Sequence, residues 1–400
     1  MSNRIYLDHN ATTPLDPAVR AAMEPYLGEL FGNPSSVEHE HGHAAARAVD
    51  HARNQIADAI GARPNEIIFT GSCTEADNLA VLGVARAHSD KRHIVTTCIE
   101  HPAILEPARV LEREGWRVTY LPVDQDGTIS LSDVKEAMSD DTALVSVMAA
   151  NNEVGTLQPI RAIGELCAAR DILFHTDLAQ LAAYEKIDVQ RDHIHLASLS
   201  AHKAYGPKGI GALYIRSRKP RARVQPLLYG GGQERGVRPG TLNTPAIVGM
   251  GEALALAKKC AAADGPRLRA LCDIFRDRVL EEVPGAHLNG HASVRLANNL
   301  SFSIEGVEPL ALIRRVRDQI SFSASSACTT EKIEVSHVLR AMFGEGQRAR
   351  GAFRIAPGRF TTAGDMETAA EILVREAIRL QGSAWADMRR DQPAVPTKPM

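Results

Sequence analysis

The chain has 400 residues, of which 44% are hydrophobic and 24% charged, and its formal net charge is −2. This composition is ordinary for a soluble globular protein, and the length allows a large core with a smaller second unit. The balanced charge excludes a strongly basic nucleic-acid-binding surface, and the lack of any run of 18 apolar residues excludes a typical membrane span. We therefore expect neither a direct nucleic-acid partner nor a membrane.

Six cysteines are scattered along the chain without a Cys-x-x-Cys pair. This spacing argues against a disulfide framework and a structural zinc site, and it leaves room for one reactive thiol. His39, His41 and His43 alternate at period two, which does not by itself indicate a metal, and we predict no metal site. The first residues lack the apolar segment of a secretion signal, so we expect a cytoplasmic protein.

From residue 66 onward, short apolar runs alternate with amphipathic stretches, a rhythm typical of βαβ units. The predicted strands are 67–70, 94–97, 118–121, 144–148, 172–175, 194–199 and 212–215. The predicted helices are 43–60, 75–88, 102–114, 131–139, 160–170, 245–262 and 266–282. The pattern predicts an α/β fold with a mostly parallel seven-stranded sheet flanked by helices.

A smaller unit of α+β character is predicted in the C-terminal part of the chain. Its predicted strands are 300–304 and 320–323, and its predicted helices are 308–318, 336–342 and 364–380. We assign 15–262 to a large domain that binds the cofactor considered below. Residues 1–14 and 263–385 are assigned to a small domain, and 386–400 to a flexible tail.

The stretch 199–208 gives the chain its most specific chemical signal, because it places Lys203 directly after a predicted buried strand. Ligands of open α/β sheets bind where strands end. A lysine shielded from water becomes an amine nucleophile that forms Schiff bases with carbonyl compounds, above all pyridoxal phosphate. Taken alone, Lys203 could equally be a solvated lysine in a surface turn.

Other polar residues also follow predicted strands. The turn 70–76 starts a helix, where N–H groups and hydroxyls either bind phosphate or merely cap the helix. Asp177 could pair with a protonated pyridine nitrogen, with Gln180 on the ring oxygen, or could be a helix cap. His101 could stack on a flat cofactor and move protons, although such histidines are more often structural. Asn152 could orient a ring or a carboxylate, or belong to an ordinary turn.

Two further residues complete the set. Cys328 lies among small polar residues, which favours an accessible thiol over a packed one. Arg354 is flanked by apolar residues and therefore needs a carboxylate partner, either the α-carboxylate of an amino acid or a structural acid. A lysine, a phosphate cradle, an acid, a ring-stacking base, a carboxylate clamp and a thiol together indicate an enzyme of amino-acid sulfur chemistry.

These stretches resemble the cysteine desulfurases, pyridoxal-phosphate enzymes of the class V aminotransferase, fold type I group. The resemblance covers roughly residues 4–385. Its most specific motifs are Thr74-Glu75-Ala76-Asp77-Asn78, Ser200-Ala201-His202-Lys203 and Ser326-Ala327-Cys328-Thr329, with others at 6–8, 11–13, 31–34, 100–101, 151–153 and 231–236.

The resemblance implies a role for each matching residue. Lys203 would hold pyridoxal 5'-phosphate as a Schiff base, Asp177 would pair with its ring nitrogen, Gln180 would contact the ring oxygen, and His101 would stack on the ring. The phosphate would be bound by Thr74, Ser200 and His202, with Cys73 in the same turn, and by Thr241 reaching the partner subunit of a homodimer. Asn152 would contact cofactor and substrate, Arg354 would bind the substrate carboxylate, and Cys328 would attack the substrate sulfur.

The implied reaction converts L-cysteine to L-alanine and leaves a persulfide on Cys328 for a protein acceptor. Two alternatives remain at this point: a selenocysteine lyase or class V aminotransferase, and a non-catalytic sulfur-transfer scaffold. The chain departs from the family pattern at Ser323-Ala324-Ser325-Ser326, at Pro239 and at 355–357. The tail 392–400 also lacks the acidic-aromatic end of members that feed iron–sulfur scaffolds, so tRNA thiolation and DNA phosphorothioate modification are further candidate destinations.

Overall fold

The computed structural model describes residues 4–88, 90–324, 327–329 and 332–390, and of 327–329, 332–334 and 383–390 it describes the backbone alone. The helices of this part of the chain are α1 (Pro17–Leu27), α2 (Glu40–Ile60), α3 (Cys73–Ala87), α4 (Pro102–Arg113), α5 (Leu131–Ala137), α6 (Ile160–Ala168), α7 (Thr244–Glu282), α8 (Pro309–Val316), α9 (His337–Phe343), α10 (Gln347–Arg350) and α11 (Ala363–Arg390).

The strands are short and alternate with these helices. They are β1 (Ile5–Tyr6), β2 (Ile67–Thr70), β3 (His93–Thr97), β4 (Arg117–Leu121), β5 (Thr142–Ser146), β6 (Leu173–Asp177), β7 (Leu196–Ser200), β8 (Gly211–Ile215), β9 (Ala286–Asn289), β10 (Leu300–Ile304), β11 (Ile320–Ser321), β12 (Ser323–Ala324), β13 (Ala327–Thr329), β14 (Lys332–Glu334) and β15 (Ala352–Ile355).

Seven strands form the central sheet in the order β2–β8–β7–β6–β5–β3–β4. Pairing is parallel from β7 through β6, β5 and β3 to β4, whereas β8 is antiparallel to both of its neighbours. Each predicted strand of this sheet is present, with ends shifted by at most two residues. The predicted α/β class and mostly parallel sheet are confirmed.

Helices cover both faces of the sheet, which is why its strands are apolar in continuous runs rather than alternating. Adjacent residues of β2 show this directly. Ile67 packs in the same core cluster as Ile56 of α2, whereas Ile68 packs in the opposite cluster with Leu79 of α3. All four side chains are essentially inaccessible to water, so the two core layers fix α2 and α3 on opposite faces.

A second, antiparallel sheet with the order β12–β15–β10–β9 lies in the C-terminal part of the chain. Together with α8 and α11, which pack on each other, it has the predicted α+β character. The N-terminal strand β1 pairs in parallel with β11, and Asp8 bridges to Ala356. The N-terminal segment therefore lies against the C-terminal part of the chain, while the domain boundaries themselves stay a prediction.

One element differs clearly from its prediction. The two helices expected at 245–262 and 266–282 are a single continuous helix, α7, which contains Pro266. Proline removes one hydrogen bond and frees the carbonyl of residue 262, but both positions face solvent, where water can satisfy that group. Because α1, α2 and α11 pack along α7, tertiary contacts support the helix through the proline.

The C-terminal helix is also longer than predicted. α11 continues to Arg390, past the expected end at 380, and the remaining part of the predicted tail, 391–400, lies outside the described residues. Within the described ranges, no helix combines the length and apolarity needed to cross a lipid bilayer.

Candidate active site

A cavity of about 260 Å³ opens at the carboxyl-end edge of the central sheet. β2, β3, β5, β6 and β7 run in the same direction, so the segments that follow them meet at this edge. The residues that line the cavity are Ser72, Cys73, Thr74, Asp77, His101, Met148, Ala150, Asn152, Asp177, Ala179, Gln180, Ser200, His202 and Lys203. Nine of the predicted site residues are therefore brought together.

Lys203 occupies a short 3₁₀ turn, Ala201–Lys203, immediately after β7. Its ammonium nitrogen donates hydrogen bonds to the carbonyl oxygens of Asn10 at 2.6 Å and Ala11 at 2.7 Å. Burial, reinforced by the positive charge of Arg354, lowers the pKa of Lys203 to about 8. A large share of this amine is thus neutral, and nucleophilic, under mildly basic conditions.

Asp177 ends β6 and also lines the cavity. Its Oδ1 accepts a hydrogen bond from the backbone N–H of Ala179 at 2.8 Å and one from the Cys73 thiol at 3.7 Å. Burial raises the pKa of Asp177, and burial together with the charge of Asp177 raises that of Cys73 well above its usual value. Cys73 is therefore a thiol rather than a thiolate, and a poor nucleophile here.

Gln180 and Asn10 form a buried reciprocal pair. The Gln180 amide donates to the carbonyl oxygen of Asn10 at 2.9 Å, and the Asn10 amide donates to Gln180 Oε1 at 3.1 Å. Asn299 donates in turn to Asn10 Oδ1 at 2.8 Å. Asn10 therefore ties Lys203, Gln180 and Asn299 together. Sequence analysis missed it, since nothing in a polar turn at 8–14 distinguishes Asn10 from its neighbours.

His101 caps a helix and also borders the cavity. It is the N-cap of α4, with Nδ1 accepting from the backbone N–H of Ala103 at 3.1 Å, and its ring borders the cavity. Burial lowers its pKa, so the neutral ring is favoured. Because Nδ1 accepts, the proton of the neutral ring lies on Nε2. The cap thereby fixes both the tautomer and the ring orientation.

The side of the cavity near α3 is rich in groups that bind anions. Ser72 caps α3, and Cys73 and Thr74 form its first turn, where the helix dipole favours negative charge. The buried hydroxyl of Ser200 has no hydrogen-bond partner among the described residues. This combination suits a phosphate group.

Two further contacts shape this anion-binding side. His202 Nδ1 lies 3.1 Å from the Thr12 hydroxyl, and burial lowers its pKa to about 4, so its ring is neutral. Gly211 of β8 packs directly against the helix start, since a Cβ there would stand 2.5 Å from the carbonyl carbon of Ser72. Only glycine leaves the helix start in this position.

Arg354 of β15 lies close to the cavity without lining it. Its Nη2 donates to Asp8 at 2.9 Å and its Nη1 to the carbonyl oxygen of Asn152 at 2.6 Å. The buried Nε has no partner among the described residues. The structural ion pair considered from the sequence is therefore present, and a substrate carboxylate would have to share the guanidinium with Asp8.

Thr241 and Cys328 are the other predicted residues outside the cavity lining. Thr241 is exposed and follows the glycine-rich loop. The backbone of Cys328 lies in β13, opposite Ile333 of the antiparallel strand β14, while its side chain lies outside the described residues.

The hairpin that carries Cys328 is attached beside the cavity. Ser336, directly after β14, caps α9 and donates a hydrogen bond to the carboxylate of Glu153. His337 Nε2 lies 2.9 Å from the carbonyl oxygen of Glu100. The base of the hairpin thus contacts the segments that also hold His101 and Asn152.

Sequence analysis also missed two buried acids of the site. Glu100 accepts from the Met148 backbone at 2.8 Å, and burial raises its pKa to about 8. Asp77 lines the cavity from α3 at 1% exposure. An acid on an otherwise apolar helix face, one turn after Cys73, was the available signal for Asp77.

Comparison with known proteins agrees with this geometry. Residues 5–351 match the family model described as aminotransferase class-V. The cysteine desulfurase IscS of Pseudomonas putida is 47% identical over 394 residues, covering 97% of this chain and 96% of the relative. Among solved structures, a NifS-like protein is 34% identical with a TM-score of 0.87, covering 94% of this chain and 100% of the other.

A second solved structure, of SspA in complex with cysteine, is 36% identical with a TM-score of 0.79. It matches 90% of this chain and its own full length. Enzymes of this family depend on pyridoxal phosphate. With the family match spanning most of the sequence and the relatives matching nearly end to end, the chain belongs to the class V aminotransferases and, within them, to the cysteine desulfurases.

Proposed function

We propose that this chain binds pyridoxal 5'-phosphate in the cavity around Lys203 and uses it to convert L-cysteine to L-alanine. The observation that carries the proposal is that Lys203 and Asp177 line the same cavity. Lys203 is a buried amine with a pKa of about 8, and Asp177 is a buried acid at the end of β6. The amine of Lys203 can bond to the carbonyl carbon of the cofactor, and the carboxylate of Asp177 can pair with its protonated ring nitrogen.

The remaining lining residues fit the same cofactor. The unpartnered Ser200 hydroxyl and the first turn of α3 suit its phosphate, together with Thr74 and His202. Gln180 suits the ring oxygen, and the His101 ring suits stacking. When bound, the cofactor supplies an electron sink that makes the bonds at Cα of an amino acid easier to break.

The other steps of the proposed reaction are assigned to side chains of the protein. Lys203 would hold the cofactor through its amine when no substrate is bound, and Lys203 and His101 would move the protons at Cα of the substrate. Arg354 and Asn152 hold the substrate carboxylate. Cys328 would accept the substrate sulfur: its thiolate attacks that sulfur, the Cβ–sulfur bond of cysteine breaks, a sulfur–sulfur bond forms, and Cβ takes up a proton as alanine is released. No external oxidant is needed, because the transferred sulfur is oxidised by the same two electrons that reduce Cβ.

We also propose a homodimer in which Thr241 reaches the phosphate site of the partner subunit. Its exposure and its absence from the cavity lining of its own chain support this assignment. The cytoplasm is the proposed location. Mixing a Thr241→Ala chain with a Lys203→Ala chain tests the arrangement, because only a Thr241 that reaches across the dimer gives the mixed dimer one site with both residues intact and wild-type cofactor affinity. Absence of any such site in the mixture would mean that Thr241 acts within its own subunit.

Replacing Cys328 by serine separates cofactor binding from sulfur transfer. We expect Cys328→Ser to retain the visible absorbance of the bound cofactor and to lose alanine formation from cysteine. Lys203→Ala should lose that absorbance, and Cys260→Ser, a half-buried thiol on α7 distant in sequence from the site, serves as the matched control. Full alanine formation by Cys328→Ser would instead favour an aminotransferase or lyase, and a colourless wild type would favour a scaffold.

The persulfide sulfur is proposed to pass to a protein acceptor, in iron–sulfur cluster assembly, tRNA thiolation or DNA phosphorothioate modification. Isotopically labelled cysteine would reveal the destination in cell extract. Label on the purified chain that a reductant removes, and that is absent from Cys328→Ser, is the expected starting point. Label on any other cysteine of the wild type would contradict the role of Cys328.

A further inference from the structure

Asp77 is a buried acid that the proposed reaction leaves without a role. It follows Cys73 by four residues on α3, so the two side chains lie on the same face of the helix. Its side chain borders the cavity at 1% exposure, and its Oδ1 has no hydrogen-bond partner among the described residues. Burying an oxygen acceptor without a partner is costly, so this atom is suited to a ligand that the chain itself does not supply.

Two other candidate ligands stand beside that oxygen. One ligand atom each from Cys73, Asp77 and Asp177 lie within 4.8 Å of one another, and the Cys73 sulfur is 3.7 Å from Asp177 Oδ1. In a tetrahedral zinc site, metal–sulfur bonds of about 2.3 Å and metal–oxygen bonds of about 2.0 Å put neighbouring ligand atoms about 3.5 Å apart. The cluster therefore needs to contract by only about an ångström to match.

The groups around the cluster are mostly acidic. Two carboxyl groups and a thiol share one buried volume, and a third acid, Glu100, also faces Asp77, so a bound cation would take the place of the protons that these groups carry in the empty site. The imidazole of His175 stands 3.8 Å from Asp77 Oδ1. The amine of Lys203 faces the same volume and is held by the backbone carbonyls of Asn10 and Ala11.

Supporting contacts around the cluster are already in place. His175 is hydrogen-bonded to Ser198 at 3.0 Å and to Ser146 at 2.9 Å, which fixes the ring next to Asp77. Metal ligands are commonly oriented by such outer contacts. The open side of the cluster faces the cavity, which leaves a fourth position for water.

We propose that, in the cofactor-free chain, Cys73, Asp77 and Asp177 bind a thiophilic divalent cation of the zinc class, and that this cation competes with the cofactor for Asp177. The three residues supply one sulfur and two oxygens, a ligand set with three protein groups and one open position. Only the competition rests on the proposed function, since it requires Asp177 to be the residue that contacts the cofactor ring.

Cobalt(II) is the probe, because a thiolate–cobalt bond gives a charge-transfer absorption that carboxylates alone do not give. Cofactor-free full-length chain titrated with Co²⁺ should develop this band with one equivalent per chain, and zinc should displace it. Cys73→Ser should lose the band, and Asp77→Asn should weaken binding at least tenfold. Cys260→Ser should match the wild type, and Mg²⁺, which avoids thiolates, should not compete.

Two results would overturn the site: no thiolate–cobalt band in the wild type, or the same band in Cys73→Ser. Circular dichroism at the assay temperature shows whether both variants are folded. It therefore separates the loss of a metal ligand from the loss of the fold. Competition has its own readout, since one equivalent of zinc should slow cofactor loading of the wild type and leave that of Cys73→Ser unchanged. Equal metal affinity of the cofactor-loaded and the cofactor-free chain would contradict the proposed competition. It would not affect alanine formation, on which the proposed function depends.

Discussion

The amine of Lys203 is where the environment of a single side chain most clearly determines its chemistry. An ordinary lysine has a pKa near 10.4, whereas burial and the nearby guanidinium of Arg354 lower that of Lys203 to about 8. Only the neutral amine attacks a carbonyl carbon. The rate of cofactor loading is therefore tied to the protonation of this one group.

We expect the rate constant for loading pyridoxal phosphate into the cofactor-free chain to rise with pH and to level off above about pH 8. Stopped-flow absorbance measures this rate, with Lys203→Ala as the blank. Arg354→Gln removes a positive charge beside the amine and should move the midpoint to higher pH. A rate that still climbs steeply beyond pH 9.5 in the wild type would show that the amine is not perturbed.

For single residues, the residue types at strand ends predict which side chains line the site but not which side chains they contact. Lys203, Asp177 and His101 could be found because parallel strands deliver their following residues to one edge. The pairing of Arg354 with Asp8 could not be found, since 346 residues separate them and a local pattern contains no information about that contact. Asn10 could not be found for the same reason, because its contacts with Gln180 and Lys203 also join distant parts of the chain.

Among the elements, the glycine-rich loop that leads to Thr241 is anchored by one buried acid. Glu234 accepts from Arg53 through both carboxylate oxygens, at 2.6 and 3.0 Å, and from the Phe69 backbone of β2 at 2.8 Å. Its own backbone is left-handed, with φ of 46°, a conformation that costs a non-glycine residue free energy. The contacts to α2 and β2 offset that cost and fix the loop on the sheet.

Glu234→Ala should lower the free energy of unfolding by about 3 kcal/mol, because it leaves the largely buried guanidinium of Arg53 without its carboxylate partner. Urea unfolding followed by circular dichroism gives this value. Glu165→Gln, which removes an exposed pair with Arg161 on α6, is the control and should change stability by less than about 0.5 kcal/mol. Equal effects of the two variants would mean that the Glu234 anchor is not a stabilising contact.

Helix α7 shows a limit of predicting helices from local sequence. Local sequence rules predict that a helix ends before Pro266, and this would be correct for an isolated segment. The continuous helix of 39 residues exists because α1, α2 and α11 pack along it, so the long-range contacts outweigh the lost hydrogen bond. The strands of the central sheet were predictable because their apolar runs reflect burial on both faces, which the sequence records directly.

On the scale of the whole molecule, Arg359 joins segments from four parts of the chain. Its guanidinium pairs with Asp16, which caps α1, at 2.9 Å and with Asp264 of α7 at 3.1 Å. The same group lies over the ring of Tyr205, 4.5 Å from its centroid, and Tyr205 follows Lys203 by two residues. The C-terminal region is thereby held against the turn that carries Lys203.

Arg359→Ala should cost about 3–5 kcal/mol of unfolding free energy, because two acids lose their shared cation in a largely buried setting. Arg359→Lys keeps the charge but cannot reach both carboxylates with a planar fork, and should recover only part of the loss. Without Arg359, Asp16 still caps α1 and Asp264 still lies 3.5 Å from Arg267, but both lose their contact with the shared guanidinium. Each acid should therefore contribute less once Arg359 is absent, so the double variants should be less destabilised than the sum of their single changes. Strict additivity in urea unfolding would show that the three residues act independently and that other contacts hold the C-terminal region against Lys203.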